Sequence, residues 1–252
     1  GKSVDLDDVN DLHEEELGIS ITRDSVNNQL TYRSNEVSRP DSFEIRYNRL
    51  AVPKGADFSF ELPDGTLVAV NSESVLQFPV QFASDDRTVY LDGEAYFEVT
   101  KNEKAPFRVI TGNRQITVLG TKFNISSYSD DPDWSTTLVE GKVRVGYGSK
   151  NFDLDPGMQF VYDREDKTAN VRTVDMELYT SWKDGYYYFK QESLERIMDV
   201  LAKWYNLNVF FQNPELKNME FGGRLKRYED ISYLLEKMEE TQDVQFMVTQ
   251  LL

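Results

Sequence analysis

Leu91–Ile125 reads LDGEAYFEVTKNEKAPFRVITGNRQITVLGTKFNI. Apolar and polar residues alternate through most of it, and Gly and Pro break the run at intervals. Ala95, Phe97 and Val99 share one phase. Ile116 and Val118 also share a phase, and Thr121, Phe123 and Ile125 fall on the opposite one. A period of two marks strands with one face on a core and the other toward solvent. The phase slips at Leu119-Gly120, and an extra residue at a glycine predicts a β-bulge there.

The same pattern extends in both directions. Phe58, Phe60 and Leu62 alternate with polar residues, Pro63-Asp64-Gly65 follows, and Leu67, Val68 and Val70 resume the run. Asp-Gly between two such runs predicts a tight hairpin. Gly93, Gly112, Gly141 and Pro156-Gly157 punctuate the rest. Many short strands at this spacing predict an all-β domain over residues 45–176, of mostly antiparallel strands. Sandwich, roll and barrel all fit the pattern. Residues 1–44 are acidic and patchy, and are expected to add strands and a linker to that domain. Val4 and Leu6 suit a short strand, Asp7–Glu16 a polar loop, and Ile19, Ile21, Leu30 and Tyr32 a hairpin; Asn35–Ser42 reads as linker.

The pattern changes near Leu178. A predicted strand at Tyr186–Lys190 precedes Leu194, Ile197, Met198, Leu201, Trp204 and Tyr205, whose spacing lays one apolar stripe on a helix. Leu207–Phe211 is β-prone and Asn213-Pro214 closes it. Met219–Leu225 reads as strand, Ile231, Leu234, Leu235 and Met238 as a second helical stripe, and Val244–Val248 as a last strand. Residues 177–252 thus predict a small α+β domain of two β-α-β repeats that must share a core.

Composition narrows the function. The chain has 252 residues, 39% hydrophobic and 13% aromatic, which suits a folded protein. Its formal net charge is −16, from 44 acidic against 28 basic residues. That field repels a phosphate backbone or an anionic membrane surface, so nucleic acid is not an expected partner. With no cysteine there is no disulfide, thiolate metal site or Cys nucleophile. No apolar run approaches the about 18 residues of a membrane helix, and no signal peptide is visible. The leading Gly looks like the remnant of a cleaved tag, so the chain is expected to be a fragment.

GEAYFEV, PFRV, VLGTKFNI and EGKVRV, in that order, with LPDGTLVAVNSESVLQF upstream, resemble the periplasmic β domain of FecR-type anti-sigma factors. The resemblance runs from Tyr47 to the end of the chain. The tail also resembles the short N-terminal signalling domain of secretins and TonB-dependent transducers. The family implies a periplasmic region of a single-pass inner-membrane protein, with a cytoplasmic sigma-binding segment and the membrane span before residue 1. It implies binding to the signalling domain of an outer-membrane TonB-dependent transducer, in iron or glycan uptake, to regulate an ECF sigma factor. No cofactor, metal or small-molecule substrate is expected. The alternative reading is a carbohydrate-binding or glycoside-processing β protein, which would need an exposed aromatic platform or two convergent carboxylates.

Few residues invite chemistry. His13, the only histidine, lies in an acidic stretch and reads as a solvated loop residue. Asp130-Asp131-Pro132-Asp133 and Asp163-Arg164-Glu165-Asp166 suggest calcium, but the second lacks the Gly and Glu of an EF-hand loop, and turn carboxylates explain both. Some FecR relatives cleave themselves at a Gly-Thr pair such as Gly120-Thr121. Thr attack needs a distorted peptide, whereas a Gly in a bulge and a Thr in a strand need no chemistry. For partner binding, the exposed side of Tyr186, Tyr187, Tyr188 and Phe189 stands out, since exposed Tyr anchors interfaces. Val209 and Phe211 in the following β-prone run, and Phe221 in the next strand, complete the predicted surface, which a partner would reach by strand addition. The plainer alternative is that both sides of the aromatic strand are covered.

Overall fold

The computed structural model describes residues 11–14, 19–24, 29–34, 46–241 and 243–248. The chain divides into two compact units, Gly1–Met176 and Glu177–Leu252.

Among the described residues, the first unit is built from strands. They are β1 (Asp11–Glu14), β2 (Ile19–Asp24), β3 (Gln29–Ser34), β4 (Tyr47–Ala51), β5 (Phe58–Glu61), β6 (Leu67–Val70), β7 (Val75–Pro79) and β8 (Arg87–Glu98). After these come β9 (Phe107–Thr111), β10 (Arg114–Val118), β11 (Lys122–Ser127), β12 (Asp133–Glu140), β13 (Val143–Tyr147), β14 (Lys150–Leu154), β15 (Met158–Asp163) and β16 (Thr168–Thr173). Two strand paths cross at β8. One runs β1-β2-β3-β5-β6-β8-β11-β12-β15-β16, and the other joins β4, β7, β8, β9, β10, β13 and β14. All pairings are antiparallel except β3 with β5 and β8 with β9.

The twelve-residue β8 serves both paths by switching partners along its length. Asp92 pairs with Val75 of β7, whereas Gly93 pairs with Ser127 of β11. Gly93 has φ +108, and a Cβ there would sit 2.3 Å from the Ser74 hydroxyl. Only glycine tolerates that turn and that approach. Ser74 uses the space to accept a hydrogen bond from the Glu94 amide at 2.8 Å.

The two paths face each other across one apolar core. Phe60 of β5 meets Phe78 of β7 at 5.2 Å, Phe97 of β8 meets Phe107 of β9 at 5.9 Å, and Phe152 of β14 meets Phe160 of β15 at 4.9 Å. Phe152 is half-buried; each of the others contributes about 1.5–3 kcal/mol relative to exposure. The unit is therefore a two-layered β structure whose sheet is nearly continuous through β8. The Asp-Gly hairpin forms as expected, with Phe58 opposite Val70 and Glu61 opposite Leu67.

The phase slip at Leu119-Gly120 is not a bulge. β10 ends at Val118 in one path and β11 begins at Lys122 in the other, so the three residues between them carry the chain across. Ile116, Val118, Phe123 and Ile125 are all buried, because opposite phases on opposite layers face the same core. The bulge lies one step later. Lys122 pairs with Glu140 and Phe123 with Leu138, which leaves Val139 as the extra residue. His13 also differs from expectation: it lies in β1, opposite Ser20, rather than in a loop. Val4, Leu6 and the Asn35–Ser42 linker lie outside the described residues.

The second unit contains α1 (Glu177–Thr180), a 3-10 turn at Ser181–Asp184, β17 (Tyr186–Ser193), α2 (Leu194–Tyr205), a 3-10 turn at Pro214–Asn218, β18 (Glu220–Lys226) and α3 (Ile231–Glu239). Both longer helices start at a side-chain cap. The Ser193 hydroxyl accepts from the Arg196 amide and the Asp230 carboxylate from the Ser232 amide. The predicted stripes are buried: Leu194, Ile197, Met198, Leu201 and Trp204 on α2, and Leu234, Leu235 and Met238 on α3.

The repeat itself is incomplete. Leu207–Phe211 and Val244–Val248 form no strand, and β17-β18 is a two-stranded antiparallel sheet. Strand propensity becomes a strand only when a partner supplies the ladder. Asn206, in the left-handed region, turns the chain out of α2, and the run after it meets no strand of this chain among the described residues.

Candidate functional site

The second unit carries the predicted partner-binding residues, and its core decides which of them a partner can touch. Tyr187 and Phe189 point to one side of β17 and stack at 6.1 Å. Tyr187 is only 6% exposed, and Phe221 on β18 is also buried. Tyr187 fills the unit's own core, whereas Phe221, though buried, also lines a groove along β18. Tyr186, 39% exposed, and Val209 are surface residues; Tyr188, Phe189 and Phe211 are half-buried. Arg224 lies 5.7 Å over the Tyr188 ring and pairs with Glu177.

Arg227 organises that core. It is wholly buried, with its guanidinium 3.7 Å from the Trp204 ring centre, 5.4 Å from Trp182 and 5.5 Å from Tyr187. Its Nη1 donates to the Trp182 carbonyl at 3.1 Å, and its amide donates to the Gly185 carbonyl at 2.9 Å. A planar guanidinium can lie against aromatic faces while keeping donors for carbonyls, which an ammonium cannot do as well. Tyr205 adds a clamp on the same loop. Its hydroxyl donates to the Glu229 carbonyl at 2.7 Å, with the Arg227 carbonyl at 3.1 Å. Burial first, then the charges of Glu229 and Asp230, push the phenol pKa up to about 12. No periodicity in FGGRLKRYED marks Arg227 as the buried basic residue, so sequence reasoning missed it.

A groove of about 510 Å³ lies along β18, with Phe221 to Lys226 on one wall and Tyr233, Lys237 and Met238 of α3 on the other. Among the described residues β18 pairs only with β17, so its second edge is open. Its ladder with β17 carries a bulge on the β17 side, where Phe189 pairs with Gly223 and Glu192 with Phe221. The unpaired runs expose Phe210 at 88% and Met247 at 84%. These features suit a surface that takes up another polypeptide rather than one that transforms a small molecule.

Gly120-Thr121 sits in the first unit, where the chain crosses between layers. Thr121 is buried, and its hydroxyl donates to the Lys142 carbonyl at 3.0 Å. The flanking carbonyls of Leu119 and Thr121 accept from Asn102 and Val99 at 2.8 and 3.0 Å. Gly120 is required by packing: a Cβ would lie 2.7 Å from the Lys101 Cα. The Asp163 carboxylate caps its own turn, accepting from the Glu165 and Asp166 amides at 2.8 Å each. No cluster of His, Asp or Glu suited to a metal ion occurs among the described residues. No helix among them is long and apolar enough to cross a membrane.

The chain thus joins a two-layered β unit to a small α+β unit in which, among the described residues, β18 pairs only with β17. Residues 48–144 match the FecR protein family model and residues 186–250 the model for the FecR C-terminal region, and the chain belongs to the FecR family. Two crystal structures, each of a protein assigned as an anti-sigma factor from Parabacteroides distasonis ATCC 8503, are similar. The 1.65 Å structure has TM-score 0.74 and 25% identity, over 81% of this chain and 95% of that one. The 2.50 Å structure has TM-score 0.73 and 25% identity, over 81% and 96%. Comparison with curated proteins gives no match. Family and structural neighbours together support a regulatory, anti-sigma-factor role that works through protein partners.

Proposed function

We propose that this chain is the periplasmic sensor region of a transmembrane anti-sigma factor, and that its second unit docks the signalling domain of an outer-membrane TonB-dependent transducer. The ECF sigma factor is then held by a cytoplasmic segment beyond a membrane span before residue 1. The observation that carries this reading is the open edge of β18 beside the α3 groove. A strand laid there gains main-chain hydrogen bonds from β18 and apolar contact from Tyr233 and Met238. The reading assigns no catalytic step to the chain.

Co-purification with the signalling domain of a candidate transducer tests it. Tyr233→Asp places a charge on the groove wall at a side chain that is already half-exposed, so folding is spared. Binding should fall by about tenfold or more, while Tyr186→Ala, on the far strand, leaves it within about threefold. Equal loss in both variants, or none in either, would overturn docking at β18.

A further inference from the structure

At one end of the first unit the two layers meet through aromatic rings and an arginine. Arg114 opens β10 opposite Tyr147 of β13, and the next inward pair, Ile116 and Val145, is buried in the core. Side chains alternate along a strand, so Arg114 and Tyr147 share that inward side. In the facing layer Trp134 of β12 pairs with Tyr162 of β15, and both are buried. The Arg114 guanidinium carbon lies 4.7 Å from the Trp134 ring centre and 5.8 Å from that of Tyr162. The Tyr147 and Tyr162 rings are 4.5 Å apart. Arg164 follows β15, its amide donating to the Pro132 carbonyl at 2.9 Å and its guanidinium to the carbonyls of Tyr128 and Ser129. Arg114, Tyr147 and Arg164 are all partly exposed, so solvent reaches the cluster.

The charges at this end are unbalanced. The chain has 44 acidic residues, yet among the described residues no carboxylate forms an ion pair with Arg114 or Arg164. The charged and phenolic groups that act on Arg114 are Arg164, Tyr147 and Tyr162; burial first, then the Arg164 charge, lowers the Arg114 pKa. The phenols bring no counter-charge: the hydrogen bond to Tyr162 first, then burial, raises the Tyr147 pKa. Three buried nitrogen donors, Arg114 Nε, Arg164 Nε and Trp134 Nε1, make no hydrogen bond. A cation withdrawn from water is costly until an anion stands beside it, and buried donors call for acceptors.

An oxyanion meets both needs. A guanidinium presents a fork of N–H donors that matches two oxygens of a phosphate, sulfate or carboxylate group. Two guanidinium groups in a chain of net charge −16 suit a small anion, since the wider field repels a nucleic acid or an anionic membrane. We propose that this end of the first unit binds a small oxyanion, held by the Arg114 fork with the Arg164 charge beside it.

Isothermal titration of the full chain with sodium phosphate, sodium sulfate and sodium acetate, at constant ionic strength set with sodium chloride, tests this. At least one should bind with Kd below about 5 mM. Phosphate and sulfate binding without acetate assigns a tetrahedral anion, and the reverse a carboxylate. Arg114→Gln should weaken binding about tenfold or more, whereas Arg144→Gln, at an exposed arginine already paired with Asp153, should leave it within about twofold. In 1H–15N spectra of the parent, the Trp134 indole and Arg114 Nε–H signals should move along the same titration, a readout that needs no variant to fold. No binding of any of the three anions, equal binding by parent and Arg114→Gln, equal loss in Arg114→Gln and Arg144→Gln, or binding that leaves both signals unmoved would each overturn the proposal.

Discussion

Arg87 Nη1 lies 2.8 Å from Asp64 Oδ2, with both side chains largely withdrawn from solvent. The same guanidinium donates to the Thr100 and Ala105 carbonyls at 2.8 Å. Asp64 also accepts from the Thr66 amide and hydroxyl. One ion pair therefore binds the Asp-Gly hairpin turn to the start of β8 and to the loop before β9. Asp64→Ala leaves a buried guanidinium without its carboxylate and should cost about 3–5 kcal/mol in denaturant unfolding. Asp64→Ala with Arg87→Met should recover part of that, because the stranded charge is gone. A loss below about 1 kcal/mol in the single variant would show that water replaces the carboxylate.

Gly93 should be the least tolerant position in β8. Gly93→Ala must hold φ near +108 and place its Cβ 2.3 Å from the Ser74 hydroxyl. Strain of about 1–3 kcal/mol adds to the clash, so the variant should be insoluble or melt far below the parent. Ser74→Gly in the same chain removes the obstructing side chain but not the φ strain or the contact with Ser74 Cα. It should restore only part of the loss, as read by calorimetry.

Some of this architecture could be read from alternation alone. Phe58–Val70 shows its hairpin because both strands lie in one sheet and the turn residues announce the reversal. Leu119–Thr121 shows an irregularity but not its kind. A bulge and a crossing between layers both shift the phase by one residue, and only the pairing of β10 and β11 separates them. The stripes of α2 and α3 were legible because one helix face must bury itself whatever lies opposite. Leu207–Phe211 was not, since its fate depends on whether a neighbouring strand exists. At the site, alternation paired Tyr187 with Phe189 but did not say which side faces the core. Arg227 was invisible because its burial depends on three rings far apart in sequence.

Tyr205 should give the second unit a specific alkaline sensitivity. Its phenol titrates near 10 when unfolded and at about 12 when folded. Between these values the unfolded state has released a proton that the folded state still holds. Stability from this group is thus fully present below pH 10 and is lost as pH rises toward 12. Tyr205→Phe should cost about 0.5–1.5 kcal/mol at neutral pH through the lost hydrogen bonds. It should also flatten the fall in denaturant midpoint between pH 10 and 12. Equal slopes in parent and variant would place the alkaline loss elsewhere among the tyrosines.

Thr121 is expected to be structural, and the purified chain to stay whole. Attack by its hydroxyl on the Gly120 carbonyl needs a peptide distorted toward the tetrahedral geometry. Gly120 is not among the residues with positive φ, and its neighbours' carbonyls are held by Asn102 and Val99. The hydroxyl is engaged with the Lys142 carbonyl, an acceptor that cannot remove a proton. Denaturing electrophoresis should show one band at 29.2 kDa for the parent and for Thr121→Ala alike. Thr121→Ala should cost about 1 kcal/mol of stability through the lost hydrogen bond. Two fragments divided after Gly120 in the parent, and an intact chain in Thr121→Ala, would instead establish the hydroxyl as a nucleophile.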